Sequence, residues 1–201
     1  MSEPVSDPQR LSGARDVRVT LDDGANDSVV VACPPHPQFG GDRHDGRLKA
    51  VSDALADRRI DCLRIDYGAW DEGEGERADA VTALDWAGEH YDRVGLFGYS
   101  FGGGIALLAA AADPAPRAVT ALAPVSEVES GQSAADALDS LSMPVQIVYG
   151  ERDGTADWQA VVERARERGN TVKSLEADHF FVGQREKVAT LVAEFLGEAL
   201  V

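Results

Sequence analysis

The stretch VGLFGYSFGGGIALLAAAA, residues 94 to 112, decides how the rest of the chain is read. An apolar run from Val94 to Phe97 stops at Gly98. Ser100 follows, boxed by Gly98 and Gly102, and an Ala/Leu-rich segment begins. Glycines two before and two after the serine remove Cβ atoms that would clash in a sharp strand-to-helix turn. Such a turn holds its serine in a strained conformation with Oγ projecting. The helix that starts beneath it leaves free N–H groups and a positive dipole end. The Phe101 amide is thereby placed to donate to a developing oxyanion. The competing reading is a tight structural turn with Ser100 as helix N-cap. A dinucleotide fingerprint would need glycine in place of Ser100, and a P-loop would need Gly-Lys-Ser/Thr; neither is present.

Strand and helix patterns alternate on both sides of this corner. DVRVTL (16–21) alternates in polarity, as a strand with one wet face does. SVVVAC (28–33), IDCLRID (60–66), AVTALA (118–123) and PVQIVYG (144–150) are apolar strand-like runs, and TVKSLE (171–176) is the last strand. Helical spacing marks LKAVSDALADR (48–58), RADAVTALDWAGEH (77–90), the segment from Phe101 to Ala112, TADWQAVVERARERG (155–169) and REKVATLVAEFLGEAL (185–200). Residues 34–47, 67–76 and 124–143 are expected as loops. The alternation predicts a three-layer α/β fold, a mostly parallel sheet with helices on both faces. Residues 1–15 are expected as a loose polar tail and 16–201 as one domain.

A nucleophilic serine needs a base, and the base needs an orienting carboxylate. On such a sheet they follow in the order Ser, Asp, His, each beyond a strand's C-terminal end. QIVYGERDG places Asp153 just past a strand, and SLEADHFF places His179 between the last strand and the last helix. Asp157 and Asp178 compete for the role of the acid. Asp157 falls further into the next helix, and Asp178 adjoins His179, so its side chain should point away from the ring.

PPHPQFGG, GYSFGGG, YGERDG and ADHFF together resemble the α/β-hydrolase superfamily. They are most similar to its small, cap-less branch related to dienelactone hydrolase, and the resemblance spans roughly residues 28 to 198. It implies acyl transfer to Ser100, with His179 as base and Asp153 as its orienting acid. It also implies that the loop after the second recognisable strand completes the oxyanion hole. Pro34, Pro35 and Pro37 have no N–H, so the second amide comes from His36 or Gln38. Two departures stand out. Dienelactone hydrolases proper use a cysteine nucleophile where this chain has Ser100. The turn after the next strand is shortened and acidic, DYGAWDEGEGERAD, with Glu76 and Asp79 read as structural. Tyr99, Phe101, Phe39, Trp70 and Phe180 are candidates for apolar walls. About twenty residues separate Ala123 from Val145, too few for a helical cap domain.

The implied function is a serine hydrolase acting on a small-molecule carboxylic ester or thioester. No cofactor and no metal are implied; Asp42, His44 and Asp45 do not have metal-ligand spacing. The alternative is a hydrolase-fold binding or scaffold protein that retains the triad by descent.

Composition narrows the setting. Acidic residues number 35 against 19 basic ones, for a formal net charge of −16. That charge repels nucleic acid and anionic membranes as partners. Only three of the basic residues are lysines, a balance expected of a halophilic protein. The N-terminus lacks the apolar core of a signal peptide. Cys33 and Cys62 are too few for a disulfide framework and read as reduced core residues. A soluble, cytoplasmic protein is expected.

Overall fold

Runs of β-branched residues covered on both faces make the centre of the sheet. A computed structural model describes residues 9–13, 15–22, 26–112 and 115–201. Its strands are β1 (Gln9–Leu11), β2 (Val17–Asp22), β3 (Ser28–Cys33), β4 (Asp61–Asp66), β5 (Arg93–Tyr99), β6 (Val119–Leu122), β7 (Val145–Gly150) and β8 (Thr171–Leu175). They form one eight-stranded sheet in the order β1-β2-β4-β3-β5-β6-β7-β8. β2 pairs antiparallel with both β1 and β4, and the pairings from β4–β3 through β7–β8 are parallel. The helices are α1 (Gly46–Ala56), α2 (Glu74–His90), α3 (Phe101–Ala109), α4 (Ala134–Ala137), α5 (Gln159–Glu167) and α6 (Arg185–Leu200).

The period-two alternation of a strand sorts the core into two halves. Val30 and Ala32 of β3 and Phe97 and Tyr99 of β5 face one side, where Leu48 and Val51 of α1 and Val192 and Leu196 of α6 cover them. Val29, Val31 and Leu96 face the other side, against α2, α3, α4 and α5. The result is a three-layer α/β sandwich, with no helical cap domain among the described residues.

Register brings the functional corners to one edge. Cys33 is paired with Gly98, Tyr99 with Leu122, and Gly150 with Leu175. The ends of β3, β5, β7 and β8 therefore lie along one side of the sheet, and the loops after them meet there.

Several expectations are corrected. The tail expected over 1–15 is not loose throughout: Gln9–Leu11 pair with β2 as an edge strand, and Arg15 Nε donates to the buried Asp79 at 2.8 Å. Residues 1–8 and 14 lie outside the described residues. The loop expected over 34–47 contains a 3₁₀ turn at Pro37–Phe39, and α1 already starts at Gly46, capped by Asp45, whose side chain accepts from Arg47 N–H. Helix α2 starts at Glu74 rather than 77, because buried Glu76 accepts from the Asp71 and Gly73 amides and closes the first turn. The stretch 124–143 holds the single turn α4. The helix expected over 155–169 begins only at Gln159, since Asp153 Oδ1 takes the Thr155 and Ala156 amides into a turn.

Candidate active site

The corner at Ser100 is built by close approach of backbone. A Cβ on Gly98 would lie 1.9 Å from the Gly102 carbonyl oxygen. A Cβ on Gly102 would lie 2.3 Å from the carbonyl oxygens of Cys33 and Pro34. Only glycine fits at either position, and the loop after β3 is pressed against the start of α3. Ser100 itself has φ 58° and ψ −121°, a strained conformation for a residue with a side chain. Ser100 holds the N-cap position of α3, with its backbone carbonyl accepting from the Gly103 and Gly104 amides, but its side chain makes no capping hydrogen bond.

Oγ of Ser100 points instead to His179, 2.9 Å from Nε2. Nδ1 of His179 lies 2.7 Å from Asp153 Oδ2. The other carboxylate oxygen of Asp153 accepts from the Thr155 amide at 2.8 Å and the Ala156 amide at 3.1 Å. The Asp153 side chain is fully out of solvent and that of His179 is 6% exposed. An ionised carboxylate only accepts, so Nδ1 carries the ring proton and Nε2 presents a lone pair to the serine hydroxyl. The Tyr99 hydroxyl donates to the His179 carbonyl at 3.0 Å and pins the loop that carries the ring. Burial pushes the Tyr99 phenol pKa up, which keeps it a donor. The competing acids are elsewhere: Asp157 is exposed, and exposed Asp178 accepts from the Phe180 amide at 3.0 Å.

The loop after β3 forms the opposite rim. The Tyr67 hydroxyl donates to the Pro34 carbonyl at 3.1 Å. His36 Nδ1 accepts from the Gln38 amide at 3.3 Å, and its Nε2 lies 2.8 Å from Glu129 Oε1. Acceptance at Nδ1 puts the ring proton on Nε2, which donates to Glu129. The imidazole packs among Trp70, Phe39 and Phe101, tilted to each ring, with centroids 4.6 to 4.8 Å away. Of the two candidate second amides, that of Gln38 is thus engaged by its neighbour's ring. The His36 and Phe101 amides donate to no group among the described residues.

These groups open on a cavity of about 560 Å³, within the size range of small-molecule sites. Phe39, Tyr99 and Phe180 supply apolar wall. Phe101 is buried behind the His36 ring, and Trp70 packs against that ring at a tilt. Sequence reasoning missed Arg47, Thr155 and Glu129. The first two line the cavity, and Glu129 meets His36 from 93 residues away, with no local signal to mark it. The Asp45 carboxylate is taken up by the Arg47 guanidinium, and Asp42 accepts from the His44 amide. Both thiols are buried, and burial pushes the Cys33 and Cys62 pKa values up to about 12. Neither is a nucleophile at neutral pH. A second depression beside Glu74, Arg77 and Gln132 has no serine, cysteine or histidine in its lining.

A model of the dienelactone hydrolase family matches residues 58–188, a span that includes Ser100, Asp153 and His179. The chain belongs to that family. This dienelactone hydrolase family member is an α/β-hydrolase enzyme with an Asp-His-Ser hydrogen-bonded array at its sheet edge. Its fold is shared by Est1E from Butyrivibrio proteoclasticus, 18% identical with a TM-score of 0.80 over 96% of this chain and 99% of that one. An α/β serine hydrolase without lid from Xanthomonas campestris is 22% identical, with a TM-score of 0.76 over 100% of this chain and 97% of its own. A dienelactone hydrolase from Anabaena variabilis is 23% identical, with a TM-score of 0.78 over 97% of this chain and 98% of its own. By sequence the family member is also similar to an uncharacterized protein of Rickettsia prowazekii, 24% identical over 190 residues, covering 85% of this chain and 79% of that protein. No helix among the described residues is long and apolar enough to cross a membrane.

Proposed function

We propose that this hydrolase cleaves a carboxylic ester or thioester through an acyl-enzyme on Ser100. The observation that carries the proposal is the unbroken array from Asp153 Oδ2 through the His179 ring to Ser100 Oγ, at 2.7 and 2.9 Å. His179 Nε2 takes the hydroxyl proton as Oγ attacks the carbonyl carbon. The Phe101 and His36 amides receive the oxyanion. Asp153 holds the imidazole in the required tautomer and stabilises its cation. His179 then gives the proton to the leaving alcohol or thiol, and water repeats the sequence to release the acid. Every step uses side chains and backbone amides of this chain. A fluorophosphonate probe is expected to label Ser100 rapidly in the wild type. Lack of labelling, with no turnover of p-nitrophenyl or thiol esters, would instead favour a binding protein.

The second oxyanion donor has its own test. His36 has φ −56°, which a proline ring accepts. His36→Pro removes the amide proton and the ring, whereas His36→Ala removes only the ring. Loss of one oxyanion donor is expected to lower kcat by roughly 10²- to 10³-fold in the proline variant beyond whatever the alanine variant loses. Equal losses in the two variants would move the donor away from His36.

The acid-rich surface supports a halophilic setting. With a formal charge of −16, self-repulsion is considerable when the Debye length is about 30 Å, at about 0.01 M salt, and is screened when it is about 3 Å, at about 1 M. The ion pairs lost in exchange include exposed ones such as Arg10–Asp16, with side chains 64% and 50% exposed, and such pairs contribute little. The melting temperature is expected to rise from dilute buffer to molar KCl. A flat or falling series would defeat the halophilic reading and leave the hydrolase reading untouched.

A further inference from the structure

The catalytic cavity contains one arginine, and its charge is already answered. Arg47 lines the same cavity as Ser100 and His179. Its guanidinium lies 4.4 Å from the centroid of the Tyr99 ring, and Nη1 donates to the Phe180 carbonyl at 3.4 Å. Asp45, also in the lining, accepts from Arg47 Nε at 2.9 Å through Oδ1 and from Nη2 through Oδ2. The side chains are only 15% and 10% exposed. A two-point guanidinium–carboxylate pair at that burial leaves little net positive charge for a ligand.

The pair is set in advance rather than assembled around a substrate. Asp45 Oδ1 also caps α1 through the Arg47 amide at 2.8 Å. The preceding residues are tied to the sheet: Asp66 accepts from the Arg43 amide at 2.7 Å and from its guanidinium, and Arg64 donates to the Arg43 carbonyl. Around the reaction centre the other charges are carboxylates, Asp153 on His179 and Glu129 on His36. With neutral imidazoles the site is therefore negative, inside a chain of net charge −16. An anionic substrate meets repulsion and finds no unpaired cation.

We propose that the Asp45–Arg47 pair is a charge filter, so that the site takes uncharged esters and turns away those carrying a carboxylate. The proposal rests on the reading of Ser100 as the nucleophile of ester cleavage. Its corollary is a reversal: with Asp45 neutralised, Arg47 stays over Tyr99 with N–H groups free to take a carboxylate.

The test compares p-nitrophenyl pentanoate with mono-p-nitrophenyl glutarate, which has the same chain length and a terminal carboxylate. The wild type is expected to favour the pentanoate at least tenfold in kcat/KM. Asp45→Asn keeps a helix-capping side chain and removes the charge. It should shift the ratio toward the glutarate ester by tenfold or more, about 1.4 kcal/mol. Asp45→Ser, which also caps, should shift it in the same direction. Adding Arg47→Gln to Asp45→Asn should abolish the shift. A wild type that takes both esters equally, or a ratio unmoved in both Asp45 variants, overturns the filter. Pentanoate turnover by the wild type reports on the acyl-transfer reading separately. Should that turnover be absent, binding of free glutarate by NMR decides: tenfold tighter in Asp45→Asn supports the filter, and equal binding overturns it.

Discussion

Ser100→Ala is expected to abolish ester hydrolysis, by a factor of about 10⁶ in kcat, with almost no change in melting temperature. The activity loss follows from the array: without Oγ, His179 has no group to deprotonate and water must attack directly. Some residual rate should survive, since backbone oxyanion donors and binding persist. Stability should hold because, among the described residues, the Ser100 side chain makes one hydrogen bond, to His179, and none to the amides of α3. A single bond of that kind contributes roughly 0.5–1.5 kcal/mol. Alanine keeps the Cβ, so it also keeps the backbone strain at φ 58°. Ser100→Gly removes both Oγ and Cβ. It should be equally inactive yet melt higher than Ser100→Ala, because glycine tolerates this conformation. That pair of melting temperatures separates strain held for function from simple loss of a contact. Fluorophosphonate labelling and the p-nitrophenol burst provide the activity side. Turnover in Ser100→Ala above a hundredth of wild type, or a label on another residue, would remove Ser100 as the nucleophile.

The corner at Ser100 is legible in sequence because its demands are local. The glycines at 98 and 102 are the printed trace of contacts that no Cβ survives, at 1.9 and 2.3 Å. The central strands are legible for a similar reason: Val29 to Val31 are buried on both faces, and a continuous β-branched run is what such a strand requires. Helix α6 starts and ends where its apolar periodicity does, at Arg185 and Leu200. Elements made by partners rather than by pattern are not legible. Strand β1 buries one residue, Leu11, and exists because β2 offers an edge. Helix α4 has four residues, fewer than one period needs to show itself.

The site divides the same way. Ser100, Asp153 and His179 each follow a strand end, so their convergence follows from chain order once the sheet is parallel. The rim does not. Glu129 reaches His36 across a loop connection, and Arg47 meets Tyr99 only because α1 packs over the end of β5. The two-residue spacing of Asp45 and Arg47 is common at helix starts and says nothing of a cavity. The proposed choice of His36 over Gln38 as second oxyanion amide likewise turns on a side chain, since the His36 ring engages the Gln38 amide.

The choice of acid is the prediction that most directly tests this geometry. Asp153→Asn is expected to cost about 10⁴-fold in turnover, the loss seen when a triad carboxylate becomes an amide. The reason lies in the two sides of the Asp153 carboxylate. Oδ1 faces two backbone donors, the Thr155 and Ala156 amides, while Oδ2 faces one ring N–H. An asparagine must turn its NH₂ toward one side or the other. Facing the turn would set it against two N–H groups, so the side-chain carbonyl stays there and the NH₂ meets His179. Nδ1 must then accept, and the ring proton moves to Nε2. That nitrogen can no longer take the proton of Ser100. The protein should remain folded, because the turn keeps its acceptor. Asp157→Asn and Asp178→Asn should cost little, since both side chains are exposed and neither touches the ring. Kinetics on an active p-nitrophenyl ester give the ranking, and ¹⁵N shifts of the His179 ring report the tautomer directly. A larger loss at Asp157 or Asp178, or a ring proton still on Nδ1 in Asp153→Asn, would reassign the acid.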